Sequence, residues 1–163
     1  MPVERIFDAG VMDIFIVRVA GNVCGPDEVA SIEYGLGHVR TPLLVVLGHT
    51  QCGAVTAGVR ALRDPLDPHG EPEPNIASLL ARVEPAVRRA AIELPGASEE
   101  EMIARAVEEN VWEAMATLFR ESRATRRMVR EGRARALGAI YDVARGTVEW
   151  LPAGRTTEIL DAS

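Results

Sequence analysis

The sequence predicts an α/β fold, a mainly parallel β-sheet flanked by helices. Two apolar runs, residues 13–19 and 43–47, are each followed by a stretch of helical periodicity. A third signal is a pair of strand-like runs around Arg145-Gly146. Strands apolar at consecutive positions are read as buried on both faces, as in a parallel sheet covered by helices. Alternating strand and helix is the order such a sheet requires.

The first predicted strand, Asp13-Ile14-Phe15-Ile16-Val17-Arg18-Val19, closes on Ala20-Gly21-Asn22. Pro26-Asp27-Glu28 opens a helix to about His38, since proline and acids suit a first turn and Val29, Ile32 and Leu36 recur at helical spacing. The second strand is Leu43-Leu44-Val45-Val46-Leu47; it stops at Gly48, and a helix from near Cys52 to Arg63 follows. Residues 64–75 hold four of the ten prolines and read as a surface loop. Helical periodicity returns over 76–94 and again from Ser98 to about Arg130, where Ser98 with Glu99, Glu100 and Glu101 forms a capping box. Residues 137–143 and 147–151 read as a hairpin. No repeat or linker divides the chain, so residues 1–163 are expected to form one domain.

Composition narrows the function. Hydrophobic residues make up 47% and charged residues 26% of 163, enough to bury a core. No apolar stretch has the roughly eighteen residues of a membrane span. The residues Met1 to Arg5 lack the basic and apolar regions of a secretory signal. A formal charge of −6 argues against nucleic-acid binding. Two cysteines build no disulfide framework, so a reducing cytoplasm is expected. All eighteen basic residues are arginine, which excludes lysine Schiff-base chemistry.

The chemistry-bearing stretch is Leu47-Gly48-His49-Thr50-Gln51-Cys52-Gly53-Ala54-Val55, at the carboxyl end of the second strand, where α/β sheets place their sites. Imidazole nitrogen and thiolate sulfur are both zinc donors, and a helix N-terminus favours a thiolate. Gly48 and Gly53 are expected to supply the sharp turn. A buried structural cysteine beside a capping histidine, or a backbone anion site, would give the same pattern. Two donors also fall short of the three or four zinc uses.

Wider context favours the metal. Residues 6–10, 15–23, 30–34, 42–55 and 138–142 together resemble the β-class carbonic anhydrases over nearly the whole chain. The resemblance implies a zinc lyase interconverting carbon dioxide and bicarbonate, with His49 and Cys52 as two of three protein zinc ligands. It also implies assembly as a homodimer or a multiple of dimers. The expected chemistry is that of zinc lowering the pKa of a bound water to about 7. A zinc hydrolase of carbon disulfide or carbonyl sulfide is a related reading, and a non-catalytic relic serving as a subunit or interaction module is another.

The family's second signature, Cys-x-Asp-x-Arg, occurs nowhere in these 163 residues. The third ligand and the acid/base groups therefore have no assignment, and little hydratase activity is expected. In the family that signature ends a strand lying between the two apolar strands. Its loss predicts that the two close up, that a partner chain fills the slot, or that the natural protein starts upstream, which the unbroken pattern at Pro2-Val3-Glu4-Arg5 favours. Cys24, at the end of the neighbouring strand, is the one candidate substitute thiolate, against a reading as a small buried hydrophobe. Asp8 and Asp13 are expected to serve a turn, and His38 and His69 to be solvent-exposed. The arginines at 120, 123, 126, 127, 130, 133 and 135 read as a solvated or subunit-facing helix surface.

Overall fold

The computed structural model describes residues 2–64 and 73–163. Most of the proline-rich stretch, His69 included, lies outside them. In chain order the elements are α1 (Val3–Ile6), a 3-10 turn (Ala20–Asn22), α2 (Pro26–Tyr34) running on into a π turn (Gly35–Val39), and β1 (Leu43–His49). Then come α3 (Gly53–Arg63), α4 (Pro74–Glu93), α5 (Glu99–Glu121), α6 (Arg123–Arg130), β2 (Arg135–Asp142), β3 (Thr147–Trp150) and α7 (Ala153–Asp161).

The sheet order is β1-β2-β3. β1 and β2 run parallel, from Leu43 opposite Arg135 to His49 opposite Tyr141. β3 pairs antiparallel with β2 through the expected hairpin, in which Gly146 adopts φ 70°. Helices flank this small sheet, as the predicted class requires.

Residues 13–19 do not form the predicted strand. From Ile14 to Val19 the chain enters no ladder. Composition made this run fit for a strand, but a strand exists only beside a partner, and β1 pairs with β2 alone. The two apolar segments have therefore not closed against each other. β1 is accordingly less buried than its sequence predicts: only Gly48 is fully buried, and Leu43 is 47% exposed.

The predicted helix over 98–130 is interrupted. Ser122 takes an extended conformation (φ −107°, ψ 98°) and separates α5 from α6. Its hydroxyl oxygen accepts from the Thr125 N–H at 3.0 Å and donates to Glu33 Oε1 at 2.6 Å. A serine able to cap a new helix competes with continuing the old one. The Ser98 capping box forms as expected, with Glu101 N–H donating to Ser98 Oγ at 3.2 Å and Ser98 N–H to Glu101 Oε2 at 2.9 Å. Hydrogen bonding from Ser98 holds the Glu101 carboxyl below its ordinary range.

α5 is the central helix, packing on β1 and β2 as well as on α3, α4, α6 and α7. Val111, Met115, Leu118 and Phe119 are all buried along it. Its Glu109 is also fully buried, held by Arg89 from α4 at 2.9 Å and by Arg105 at 2.6 Å. A buried carboxylate survives only with such pairing. α7, which the sequence reading did not anticipate, buries Thr156 and Leu160 against α5 and β2.

Candidate metal centre

β1 delivers His49 to the carboxyl edge of the sheet, and the next residues are tied to β2. Thr50 N–H donates to the Tyr141 carbonyl at 3.0 Å, while Thr50 Oγ1 accepts from Val143 N–H at 3.0 Å. The chain then reverses at Gln51, whose φ is 59°. This corrects the expected role of the glycines, since Gly48 and Gly53 both lie outside the positive-φ region. Gly48 is needed for proximity: a Cβ there would fall 2.7 Å from Val111 Cγ2, so β1 lies flush on α5. Gly53 is simply the first residue of α3.

His49 Nδ1 lies 2.8 Å from the Thr50 carbonyl oxygen. A carbonyl can only accept, so Nδ1 carries the proton and Nε2 keeps the lone pair a metal needs. Cys52 occupies the N-cap of α3, with its carbonyl accepting from Thr56 N–H at 2.9 Å. It is 6% exposed and packs with Val55, Val59 and Val107.

Cys24 is buried in a separate cluster with Ala114 and Leu118. Burial, reinforced by the nearby Glu28 charge, pushes its thiol up to about 11. Asp13 serves its turn, its Oδ2 accepting from Gly10 N–H at 2.7 Å, and Asp8 sits in the same region at φ 50°. His38 is exposed and packs at a tilt against Tyr34, with ring centroids 4.9 Å apart and planes at 41°. Among the described residues no three His, Cys, Asp or Glu side chains gather where a metal could be held. One turn thus carries two donors, His49 and Cys52, and a complete zinc shell does not fit within these residues.

Arg123, Arg127 and Arg135 are exposed, as expected of a solvated helix surface, while other arginines of the stripe bond within the chain. Arg126 donates to the Phe119 carbonyl at 2.7 Å, Arg130 to the Leu160 carbonyl at 2.8 Å, and Arg133 to Glu131 at 3.2 Å. A cavity of about 820 Å³ lies between residues 13–24 and β1, lined by Cys24 and His49 among others. The predicted slot was its only sequence signal.

Fold and turn together define an α/β protein with a histidine and a cysteine at the carboxyl edge of a parallel strand pair. Residues 1–148 match the carbonic anhydrase family. The chain belongs to that family, in its β class. A carbonic anhydrase of Mycolicibacterium smegmatis is 35% identical over 149 residues, covering 90% of this chain and 66% of the relative. Carbonic anhydrase 2 of Mycobacterium tuberculosis is 43% identical over 84 residues, 52% of this chain and 39% of the relative. The chain thus spans less than two thirds of these relatives' lengths. The crystal structure of the β-carbonic anhydrase CafA of Aspergillus fumigatus superposes with a TM-score of 0.82 at 27% identity, over 99% of this chain and 74% of that one.

Proposed function

We propose that this chain is a zinc-type carbonic anhydrase subunit for carbon dioxide and bicarbonate, contributing His49 and Cys52 as two metal donors. The observation that supports this reading is the His49 Nδ1 contact to the Thr50 carbonyl, which leaves Nε2 as a donor three positions from the Cys52 thiol. Fixing the tautomer by a backbone acceptor is how proteins prepare a ligand imidazole. Thr50 orients the ring, and its own bonds to Tyr141 and Val143 keep the turn in place. With a third donor and the Asp/Arg pair unassigned, the 163-residue chain binds zinc weakly and turns over little. The chain is taken to work in the cytoplasm and to assemble as dimers or multiples of dimers. Val11 and Met12, each 93% exposed, suit a subunit contact.

Stopped-flow hydration of carbon dioxide by the zinc-loaded chain tests this directly. The expected result is substoichiometric zinc in protein purified without added metal, and turnover near the uncatalysed rate. Turnover at ordinary family rates would refute the impairment. Zinc binding that survives loss of both His49 and Cys52 would refute the site.

A second reading has its own support. The two-donor set favours a non-catalytic subunit or interaction module. It predicts a stable fold without stoichiometric metal.

A further inference from the structure

Two groups on either side of one β2 residue grip Thr50. Its N–H donates to the Tyr141 carbonyl, and its Oγ1 accepts from Val143 N–H, both at 3.0 Å. The residue between those groups is Asp142, the last of β2. Its own bonds all go to the hairpin turn. Oδ1 accepts from Ala144 N–H at 2.9 Å and from Arg145 N–H at 3.0 Å. The Asp142 carbonyl accepts from Gly146 N–H at 2.8 Å. An aspartate that collects the amides following it shapes a turn. Here that shape sets the peptide joining Asp142 to Val143, and so the direction of the N–H that reaches Thr50.

The turn after β1 needs such outside support. Gln51 stands at φ 59°, a region uncommon for any residue with a Cβ. Local preference therefore does not hold the reversal between His49 and Cys52, whereas the two bonds from Thr50 to β2 do. With Thr50 fixed, its carbonyl accepts from His49 Nδ1 at 2.8 Å. Among the described residues Nε2 has no hydrogen-bond partner, so the ring's tautomer depends on the Nδ1 contact.

We propose that Asp142 is a positioning residue for the His49 imidazole, acting through Val143 and Thr50 to select the ring form protonated on Nδ1. The use of that form rests on the reading of His49 as a metal donor; the relay itself consists of protein atoms. The acceptor oxygen matters here more than the charge. Arg145 Nε lies 3.7 Å from Asp142 Oδ2 and its side chain is 82% exposed, so that ion pair contributes little. The Ala144 and Arg145 amides, by contrast, both depend on Oδ1. Asparagine offers the same oxygen without the charge, which separates the two effects.

The test reads the ring nitrogens of His49 by NMR in the metal-free 163-residue chain, isotope-labelled at histidine and with the imidazole neutral. The Nδ1–H form should exceed the Nε2–H form by about tenfold, what one good hydrogen bond confers. Asp142→Ala should lower that ratio by about threefold or more, and Asp142→Asn should preserve it. Thr50→Val keeps the side-chain shape but removes the acceptor for Val143 N–H, and should lower the ratio too. Adding D142A to T50V should lower it no further. Exposed His38 is the internal reference and should not respond. Amide spectra report whether each variant is folded, and T50V carries the test if D142A is not. A parent ratio near one, an unchanged ratio in folded D142A or T50V, a D142N ratio matching that of D142A, or additive effects would each overturn the proposal. Failure of the parent chain to bind zinc would instead overturn the metal reading and leave these ratios as they are.

Discussion

The side-chain amide of Asn110 donates to the carbonyl of Gly21 at 2.7 Å, joining the middle of α5 to the 3-10 turn across 89 residues. Gly21 sits at φ 71°, where a Cβ would come within 3.2 Å of Ala54 and 3.3 Å of Leu79, so the turn is wedged between α3 and α4. This junction fixes the 3-10 turn that ends residues 14–19 against the helices.

Replacing Asn110 with alanine should therefore destabilise the chain by about 1–3 kcal/mol, because the Gly21 carbonyl is left buried without its donor. Urea unfolding measures this.

Gly48→Ala should cost about 1–3 kcal/mol through overpacking, since the new methyl would lie 2.7 Å from Val111 Cγ2. Adding Val111→Ala should recover part of the loss. A double-mutant cycle in thermal unfolding reads the coupling, and additive effects would show that the contact is not the cause.

Glu109→Gln should cost about 1–3 kcal/mol, because it removes the buried charge that Arg89 and Arg105 share while Glu113, Glu93 and Glu108 remain as their other partners. Burial alone would lower the Arg89 guanidinium, but the hydrogen bonds it donates to Glu113 and Glu109, with their charges, outweigh burial and keep it above its usual range; the hydrogen bond Arg105 donates to Glu93 acts likewise. Thermal unfolding at neutral pH is the check.

Cys24 makes stability fall in alkali. Its thiol titrates near 11 in the folded chain against 9.0 as the ordinary value, so the unfolded state loses its proton first. Stability from this group is complete below about pH 9 and disappears as pH rises through about 11. Cys24→Ala should flatten that part of the profile in urea titrations. For the same reason, alkylation of Cys24 near pH 8 should run about a hundredfold slower than that of a free cysteine peptide.

Cobalt substitution separates the two cysteines. Weak cobalt binding with thiolate character should disappear in Cys52→Ser and persist in Cys24→Ser. The reverse pattern would make Cys24 the ligand.

Sequence logic worked where structure is local. The start of α3 after Cys52, the capping box at Ser98 and the hairpin at Gly146 each depend on residues a few positions apart, and all three form. It failed where a neighbour decides. Residues 13–19 have strand composition but no strand beside them. Ser122 ends α5 because Thr125 and Glu33 offer its hydroxyl better bonds, which no periodicity reveals. Gly48 reads as a turn glycine until Val111 is seen against it, while Gln51 takes the left-handed position instead. α7 follows Pro152 with Gly154 in its first turn, and it packs on α5 and β2, contacts that lie far away in sequence. The turn carrying His49 and Cys52 was legible in outline; the cavity beside it was visible only as an expected slot.

The edge of β1 that faces away from β2 also bears on how the molecule behaves in concentrated solution. Leu43-Leu44-Val45-Val46-Leu47 has no charged residue within it to discourage like-with-like stacking, and Pro42 guards one end only. Such an uncapped aliphatic rim is a template for fibrous self-assembly, so shelf life in the test tube should depend on whether that rim is covered.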